Sequence, residues 1–427
     1  MKLGLQLGYW QAGPPEGVGE LVAAAEEAGF DAIFTAEAWG SDAFTPLTWW
    51  GRETSTVRLG TSIVQMSGRS PASIAMHALT LDHLSGGRVV LGMGVSGPQV
   101  VEGWYGQPFS KPLARTREVV DIIRKVLARE APVTNDGPHY PLPFTGEGSV
   151  GLGKPLKPIV HPLRPDIPIW LGAEGPKNVA QTAEIADGWI PIFYTPKSAG
   201  MYQPWLDEGF ARPGARRTRE DFEIAATCHL QIVSGAAEKK AVIDAMKGVV
   251  SLYMGGMGAA EANFHNQVFV RMGYEDLAAE VQRLYLAGEK DKATALIPDE
   301  LVDDMHIIGE PAEVTEKVAA WEETGVTTLM LSFHGADEIR KVAELLARRR
   351  GGGCSAAARG GPGYLRPRDR AQQGPRGRPG HRGRCPPPSA APRHRVGQVA
   401  YRRLHRHGCP RDRPGRLRDP VRRRQAL

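Results

Sequence analysis

Cysteine is scarce in this chain: four occur in 427 residues, and only Cys228 lies within the first 347. A single thiol cannot form an intrachain disulfide there, and its strand-like apolar surroundings make Cys228 a small core hydrophobe. Long apolar runs are missing too. None reaches the roughly 18 residues a membrane span requires, and Met1-Lys2-Leu3 enters a strand without the charged start and apolar stretch of a signal peptide. A cytoplasmic protein without a membrane partner is expected. The sequence also lacks a G-x-S-x-G elbow, a Walker A loop and a paired-cysteine redox motif, so hydrolase, kinase and thiol chemistries have nothing to rest on.

Lysine and glutamate are absent from the last 80 residues, which hold 23 Arg and 3 Asp for a charge of +20 against +6 for the whole chain. The first 347 residues are therefore acidic, at −14, which argues against nucleic acid as their ligand. Residues 348–427 are rich in Arg, Gly and Pro and contain no Ile, Phe, Trp or Met, so they cannot build a packed core and are expected to be disordered. One reading makes them a basic arm for RNA or acidic surfaces. The other makes them a frameshift product, since Arg, Gly, Pro and Ala have G- and C-rich codons and the composition changes abruptly after the helical pattern Ala336–Ala347. Cys354, Cys385 and Cys409 are too widely spaced for a zinc knuckle.

What is present over residues 1–347 is a cadence of short apolar strand, polar or glycine-bearing turn and amphipathic helix, repeated about eight times. The expected strands are Leu3–Gly8, Asp31–Ala36, Val57–Val64, Arg88–Val95, Ile167–Gly172, Asp187–Phe193, Phe222–Val233 and Val326–Phe333. Helices are expected over Glu16–Ala28, Pro71–Ser85, Lys111–Arg129 and from Pro311. Such alternation predicts a closed parallel (β/α)8 barrel, a TIM barrel, which brings the turns after its strands to one mouth. Two stretches interrupt it. Residues 132–166, rich in Pro and Gly, read as an ordered excursion; residues 236–305 read as a helical insertion with a flexible break at Tyr253-Met254-Gly255-Gly256-Met257-Gly258. Insertions on such loops commonly shape pockets.

The turns carry the candidate chemistry. Gly92-Met93-Gly94-Val95-Ser96-Gly97 spells a dinucleotide fingerprint, but it follows the fourth strand, and Pro98 and the loop Gly103–Pro108 should delay the next helix to about Lys111. Close backbone approach to a flat ligand is a better use for these glycines. Gly172-Ala173-Glu174-Gly175-Pro176-Lys177-Asn178 is either a phosphate-binding helix start or a plain turn. Glu37 could exchange a proton and Trp39 could wall a planar ring, or the two could be a surface acid and a core indole. Glu102 is a second candidate acid. His77 and His83 point to different sides of one helix and the remaining histidines are scattered, so no metal site is expected.

These segments resemble the luciferase-like monooxygenase superfamily, and within it the actinobacterial oxidoreductases that use coenzyme F420, an 8-hydroxy-5-deazaflavin. The resemblance is carried by Lys2-Leu3-Gly4-Leu5-Gln6-Leu7-Gly8-Tyr9-Trp10, Phe34-Thr35-Ala36-Glu37-Ala38-Trp39-Gly40-Ser41-Asp42, Leu59-Gly60-Thr61-Ser62-Ile63, Leu81-Asp82-His83-Leu84-Ser85-Gly86-Gly87-Arg88, Val95–Trp104 and Leu171–Asn178, and it spans residues 1–347. It implies a non-prolyl cis peptide at Ser62-Ile63 behind the deazaflavin ring, Val95, Ser96, Gly97 and Gln99 along the cofactor, and Gly172, Ala173, Glu174, Gly175 and Pro176 around its phosphate. Glu37 stands where many relatives have Asp, and Ala38 where some have His, which removes a histidine-assisted proton step at that place. The implied reaction is hydride transfer with a small organic substrate, with Glu37, Glu102, Trp39 and His265 as candidate catalytic residues. A homodimer is implied as well. Other readings are a reduced-FMN-dependent monooxygenase on the same barrel, a non-catalytic flavin- or deazaflavin-binding protein, and an RNA-associated protein acting through the tail. Trp10, Trp39, Trp49, Trp50, Trp104 and Phe193 point to an apolar or ring-shaped substrate.

Overall fold

The computed structural model describes residues 1–258 and 263–351; the Arg/Gly/Pro-rich stretch 352–427, with its expected disorder, lies outside the described residues. The strands are β1 (Lys2–Gln6), β2 (Ala32–Thr35), β3 (Arg58–Thr61), β4 (Val64–Gln65), β5 (Val89–Gly94), β6 (Ile169–Gly172), β7 (Gly188–Ile190), β8 (Glu223–Ile232), β9 (Ile307–Gly309) and β10 (Thr328–Ser332). Parallel pairing runs from β1 through β2, β3, β5, β6, β7 and β8 to β10, and β10 returns to β1 with Leu3 opposite Leu329 and Leu5 opposite Leu331. The sheet is thus a closed (β/α)8 barrel, and each of the eight expected strands coincides with one of its staves.

One stave is broken. Leu59 pairs with Val89 and Gly60 with Val90, but beyond the break Val64 pairs with Met93 and Gln65 with Gly94, so β3–β4 carries one more residue than β5. This is a β-bulge, placed at the mouth of the barrel. The Ser62–Ile63 peptide within it is cis. The groups flanking it are held: Ser62 N–H donates to the Thr35 carbonyl at 2.7 Å, and the Ile63 carbonyl accepts from Glu37 N–H at 3.2 Å. The Thr61 hydroxyl fills the gap in the ladder, donating to the Gly92 carbonyl at 2.8 Å and accepting from Gly92 N–H at 2.9 Å. Gly92 must be glycine for this contact, because a Cβ there would lie 1.9 Å from the Thr61 carbonyl oxygen.

The barrel interior is filled by Ala32, Phe34, Val90, Trp170, Ile190, Ala225 and Met330. Two large rings, Phe34 and Trp170, lie with centroids 5.9 Å apart. Room for them comes from glycines on neighbouring staves: a Cβ on Gly4 or Gly60 would enter the Phe34 ring, and one on Gly188 the Trp170 ring. At the opposite end from the mouth, Arg58 spans Asp31 and Glu223, with Nε–Oδ2 2.8 Å and Nη1–Oε1 2.7 Å.

Helices follow the expected grammar. Pro71–Ser85 opens with the Ser70 hydroxyl accepting from Ser73 N–H and with Pro71 at the first position. Val18–Glu27 buries Val18, Val22, Ala24 and Ala25 and stops before Gly29, whose φ of 73° is left-handed. Pro112–Ala128 and Pro311–Glu322 fall where periodicity places them, and Ala336–Gly351 runs slightly past its expected end. Two elements differ from expectation. A six-residue helix, Pro98–Gly103, opens immediately after β5, too short to show periodicity in a stretch rich in glycine and proline. β9 is a three-residue strand that pairs Ile307 with Leu230 at the outer end of β8, in the short stretch between the expected insertion 236–305 and the helix from Pro311.

The excursion 132–166 is held by bridges between Val133 and Leu156 and between Asn135 and Leu142, and by Arg164 on the buried Asp82 carboxylate at 2.8 Å. The second insertion packs Ile243, Val250, Met254, Phe269, Val281 and Leu301 into a core of its own. The expected flexible break at Tyr253–Gly258 is instead a packed wide turn through Gly256: a Cβ on Gly255 or Gly256 would strike the Tyr285 ring. Among the described residues no helix is long and apolar enough to cross a membrane.

Two buried groups contribute to the acid response. Asp187 receives Arg124, Arg216 and Arg217 at 2.5–2.7 Å and the Ile169 N–H at 2.8 Å. Burial alone would raise its carboxyl, but Arg124, the Ile169 N–H and Arg216 outweigh burial and hold it below the ordinary range. His306 is pushed down to about 3 by burial, aided by neighbouring His229. Both shifts act in one direction: the unfolded chain takes up protons first, below about pH 6.5 for histidine and about 3.9 for aspartate. Stability is therefore expected to be level above neutrality, to decline below about pH 6.5 and to fall further below about pH 4. Thermal melting from pH 8 to 3 measures this, and D187N should lower stability at neutral pH while flattening the most acidic part of the curve.

Candidate active site

The loops after the strands enclose a cavity of about 1150 Å³ at the barrel mouth. That is at or above the usual upper range for small-molecule sites, about 300–1000 Å³. Its floor is the bulge. Ser62 is held by Gln6, whose Nε2 donates to Oγ at 3.1 Å, and the Ile63 side chain lies over Gly94 and Gly172, where added Cβ atoms would stand 3.0 and 3.6 Å from it. Beside it Ser96 holds a left-handed backbone at φ 60°, a conformation costing a non-glycine residue about 1–3 kcal/mol and concentrated at functional sites.

The opposite wall is the turn Gly172–Pro176 and the start of the helix Pro176–Ile185. Gly175 precedes this helix in extended conformation and no side chain caps it; its carbonyl accepts from Asn178 and Val179 N–H at 3.0 and 2.9 Å, and Lys177 lines the cavity beside it. Trp39 and Trp104, 52% and 63% exposed, stand with Phe109 and Phe264 as apolar walls.

The structure brings together Glu37, Trp39, Ser62, Ile63, Val95, Ser96, Gly97, Gln99, Gly172, Ala173, Glu174, Gly175, Pro176 and His265: all line the one cavity. Glu102 does not. It sits on the helix Pro98–Gly103, and its carboxylate accepts from Phe109 N–H at 3.2 Å. That helix, at six residues, is too short to leave a period in the sequence. Of the aromatics expected at the substrate, Trp10, Trp49, Trp50 and Phe193 are not in the wall; Phe193 packs behind it on Tyr253, His265 and Phe269.

Glu37 is present but tied down. Its side chain is 3% exposed, and both carboxylate oxygens accept from Arg69 Nη1, at 2.8 and 2.7 Å. Oε1 also accepts from Gln65 N–H at 3.2 Å and Oε2 from Ala43 N–H at 3.3 Å. A carboxylate engaged by these donors is a brace between the turn after β2 and the segment after the bulge.

His265 has a different setting. Its Nδ1 lies 2.7 Å from Glu174 Oε1 without hydrogen-bond geometry, and both Nδ1 and the second Glu174 oxygen, Oε2, are buried without a hydrogen-bond partner. The Tyr253 ring meets the imidazole edge-on at 4.9 Å. Burial, and then the neighbouring Tyr9 and Glu174, push the Tyr253 phenol well above its ordinary range, so it is a neutral hydroxyl. Tyr9 could have been found by the rule that found the other turns, since it follows β1; Tyr253 and Arg69 carry no local signal. Three of the remaining histidines converge, with the His229 ring 5.7 Å from His334 and 6.4 Å from His306. His306 Nδ1 accepts the His229 backbone N–H at 3.1 Å, which occupies the lone pair a metal would need.

A closed parallel barrel whose strand-end loops converge on one large cavity defines an enzyme of the TIM-barrel class. The chain belongs to the luciferase-like monooxygenase family, whose model matches residues 4–328. It is 63% identical over 346 residues, 81% of this chain and 99% of the relative, to a Mycobacterium tuberculosis protein named "Putative coenzyme F420-dependent oxidoreductase". It is 28% identical to the 5,10-methylenetetrahydromethanopterin reductase of Archaeoglobus fulgidus, over 76% of this chain and 91% of that one. The fold is shared with the coenzyme F420-dependent tetrahydromethanopterin reductase of Methanopyrus kandleri, at TM-score 0.66 and 24% identity, covering 82% of this chain and 99% of that one.

Proposed function

We propose that the protein is a coenzyme F420-dependent oxidoreductase that transfers a hydride between the deazaflavin and a small organic substrate in the barrel-mouth cavity. The observation that carries this reading is the cavity floor, where a bulged stave, its Ile63 side chain and the bare backbone of Gly94 and Gly172 present a smooth, close surface to a planar ring. The 63% identity to a relative named for that cofactor supports it.

The residues present suit the group. Ser62 and Ile63 back the ring, Val95, Ser96, Gly97 and Gln99 run beside it, and the helix start at Pro176 takes the phosphate, where Lys177 and the helix dipole favour an anion. When bound, the deazaflavin supplies a two-electron hydride carrier whose ring carbon reacts poorly with oxygen. The protein's part is alignment and exclusion of water. Trp39 and Trp104 press an apolar substrate toward the floor, and Glu37, locked to Arg69, keeps the Trp39 turn in place. The functional unit is residues 1–347, with residues 348–427 outside it.

Titration of the purified protein with F420 and with FMN, each oxidised and reduced, tests the reading by fluorescence. F420 is expected to bind at micromolar concentration or below and FMN much more weakly. Tight FMN binding without F420 binding would favour a flavin-dependent monooxygenase and overturn the proposal.

A further inference from the structure

The stave that forms the cavity floor carries an acceptor with no donor. Gln65 lies on β4 just past the bulge, opposite Gly94, where it lines the cavity and is 6% exposed. Its backbone N–H donates to Glu37 Oε1 at 3.2 Å, and its side-chain Nε2 donates to the Glu37 carbonyl at 3.3 Å. The second bond orients the amide, because exchanging its oxygen and nitrogen would set two carbonyl oxygens against each other. Oε1 is left buried with no hydrogen-bond partner among the described residues. A shielded acceptor without a donor is costly, and in a cavity wall it marks a place where a ligand can supply the missing hydrogen.

We propose that Gln65 reads the imide edge of the deazaflavin ring: Oε1 accepts from the ring N3–H, and the Nε2 hydrogen not given to Glu37 reaches a flanking ring carbonyl. This rests on the F420 reading above, and it adds to it a polar contact that fixes which end of the ring points to β4. Residues 63 and 65 are two apart on one stave and so share a face. Ile63 forms the floor under the ring, and Gln65, about 6–7 Å further along the strand, meets the ring at its edge. A planar amide presents donor and acceptor side by side, the pattern by which Asn and Gln read an adenine edge, and an imide offers the complement. The other polar ends of the cofactor suit Gln65 less, since an 8-hydroxyl donates only while protonated and an ionised phosphate only accepts. The terminal torsion of glutamine is broad, so a modest turn about it brings Oε1 to the cavity surface that the residue already lines.

This contact gives Glu37 a further purpose. Arg69 holds both Glu37 carboxylate oxygens, and Glu37 in turn holds Gln65 at two points, so the amide reaches the ring from a fixed base. Taking away either the Gln65 amide or the ring N3–H leaves the other buried and unpaired, whereas taking away both leaves nothing unpaired. Protein and ligand substitutions are therefore expected to be strongly non-additive.

The test is fluorescence titration of the full chain with F420 and with F420 methylated at ring N3, using wild type, Q65M and Q65A. A buried group left without its partner shifts an equilibrium by about tenfold or more. Wild type should therefore prefer F420 over the N3-methyl ligand by about tenfold or more. Q65M should bind F420 about tenfold more weakly than wild type does and prefer it over the N3-methyl ligand by less than about threefold, and Q65A should also lose the preference. Infrared difference spectra give a readout that needs no affinity: the ring carbonyl bands of bound F420 should lie lower in wild type than in Q65A. Thermal melting of the ligand-free proteins checks that the variants fold. Wild type that binds both ligands equally overturns the proposal, whether or not a variant folds. So does an equal loss for both ligands in folded Q65M and Q65A, since that is the mark of a purely structural residue. Wild type binding neither ligand would instead sink the F420 reading, and this inference with it.

Discussion

Replacing Gly92 with alanine is expected to cost about 3 kcal/mol or more and to abolish cofactor binding at temperatures where the wild type binds. A methyl group there would lie 1.9 Å from the Thr61 carbonyl oxygen and 2.9 Å from Ile190 Cδ1. The first contact is backbone against backbone, so no rotamer change relieves it. Relief requires β3 and β5 to separate where the bulge begins, and that would break both Thr61 hydroxyl bonds to Gly92. The floor under the ring would move with them. Chemical denaturation measures the stability, and F420 titration the site. Gly248, in the helix Ala236–Ser251, is the control: nothing lies within 4 Å of an added Cβ, and alanine should stabilise the helix by up to about 1 kcal/mol. Equal stability of G92A and wild type would mean that the close approach of β3 and β5 is not required.

The second large effect is expected at Arg69. Arg69→Met leaves the Glu37 carboxylate, with its side chain 3% exposed, without a counter-charge. Removing one partner of a buried ion pair typically costs about 3–5 kcal/mol, because the remaining charge has neither water nor an opposite charge. The Gln65 and Ala43 N–H groups remain as donors and moderate the loss. E37Q/R69M should be more stable than R69M, because the uncompensated charge is gone, and this partial rescue separates electrostatics from lost packing of Arg69 on Phe44, 5.6 Å above its ring. Denaturation midpoints of the three proteins decide it. R69M as stable as wild type would contradict the assignment of Glu37 as a braced carboxylate. If Glu37 were instead the proton-transfer group, E37Q would abolish turnover while leaving F420 affinity unchanged.

What was legible in the sequence follows from periodicity. Each barrel stave is a short apolar run bounded by turn residues, and its helix repeats at 3.6, so strand and helix order could be read locally. Closure then followed from the number of units, and the convergence of their turns from closure. Hence Trp39, Ser62, Ile63, Ser96, Gly97 and Gly172 to Pro176 could be gathered before any contact was known. The same logic failed where local signals are short. The helix Pro98–Gly103 is six residues and β9 three, below the length at which a period can be recognised, and Glu102 was misplaced with the first of them.

Composition and pattern by themselves determined the class of this protein: one barrel, an acidic body, a mouth lined by glycine-bearing turns, and a basic tail outside the barrel pattern. Only the tertiary structure decided which side chains act together. Arg69 holds both carboxylate oxygens of Glu37, and His265 meets Glu174 across a sequence separation of 91 residues. The reason is physical. Secondary structure is set by neighbours within one or two turns of chain. The charge state and reach of a side chain are set by whatever the fold places within a few ångströms of it, and no local period records that.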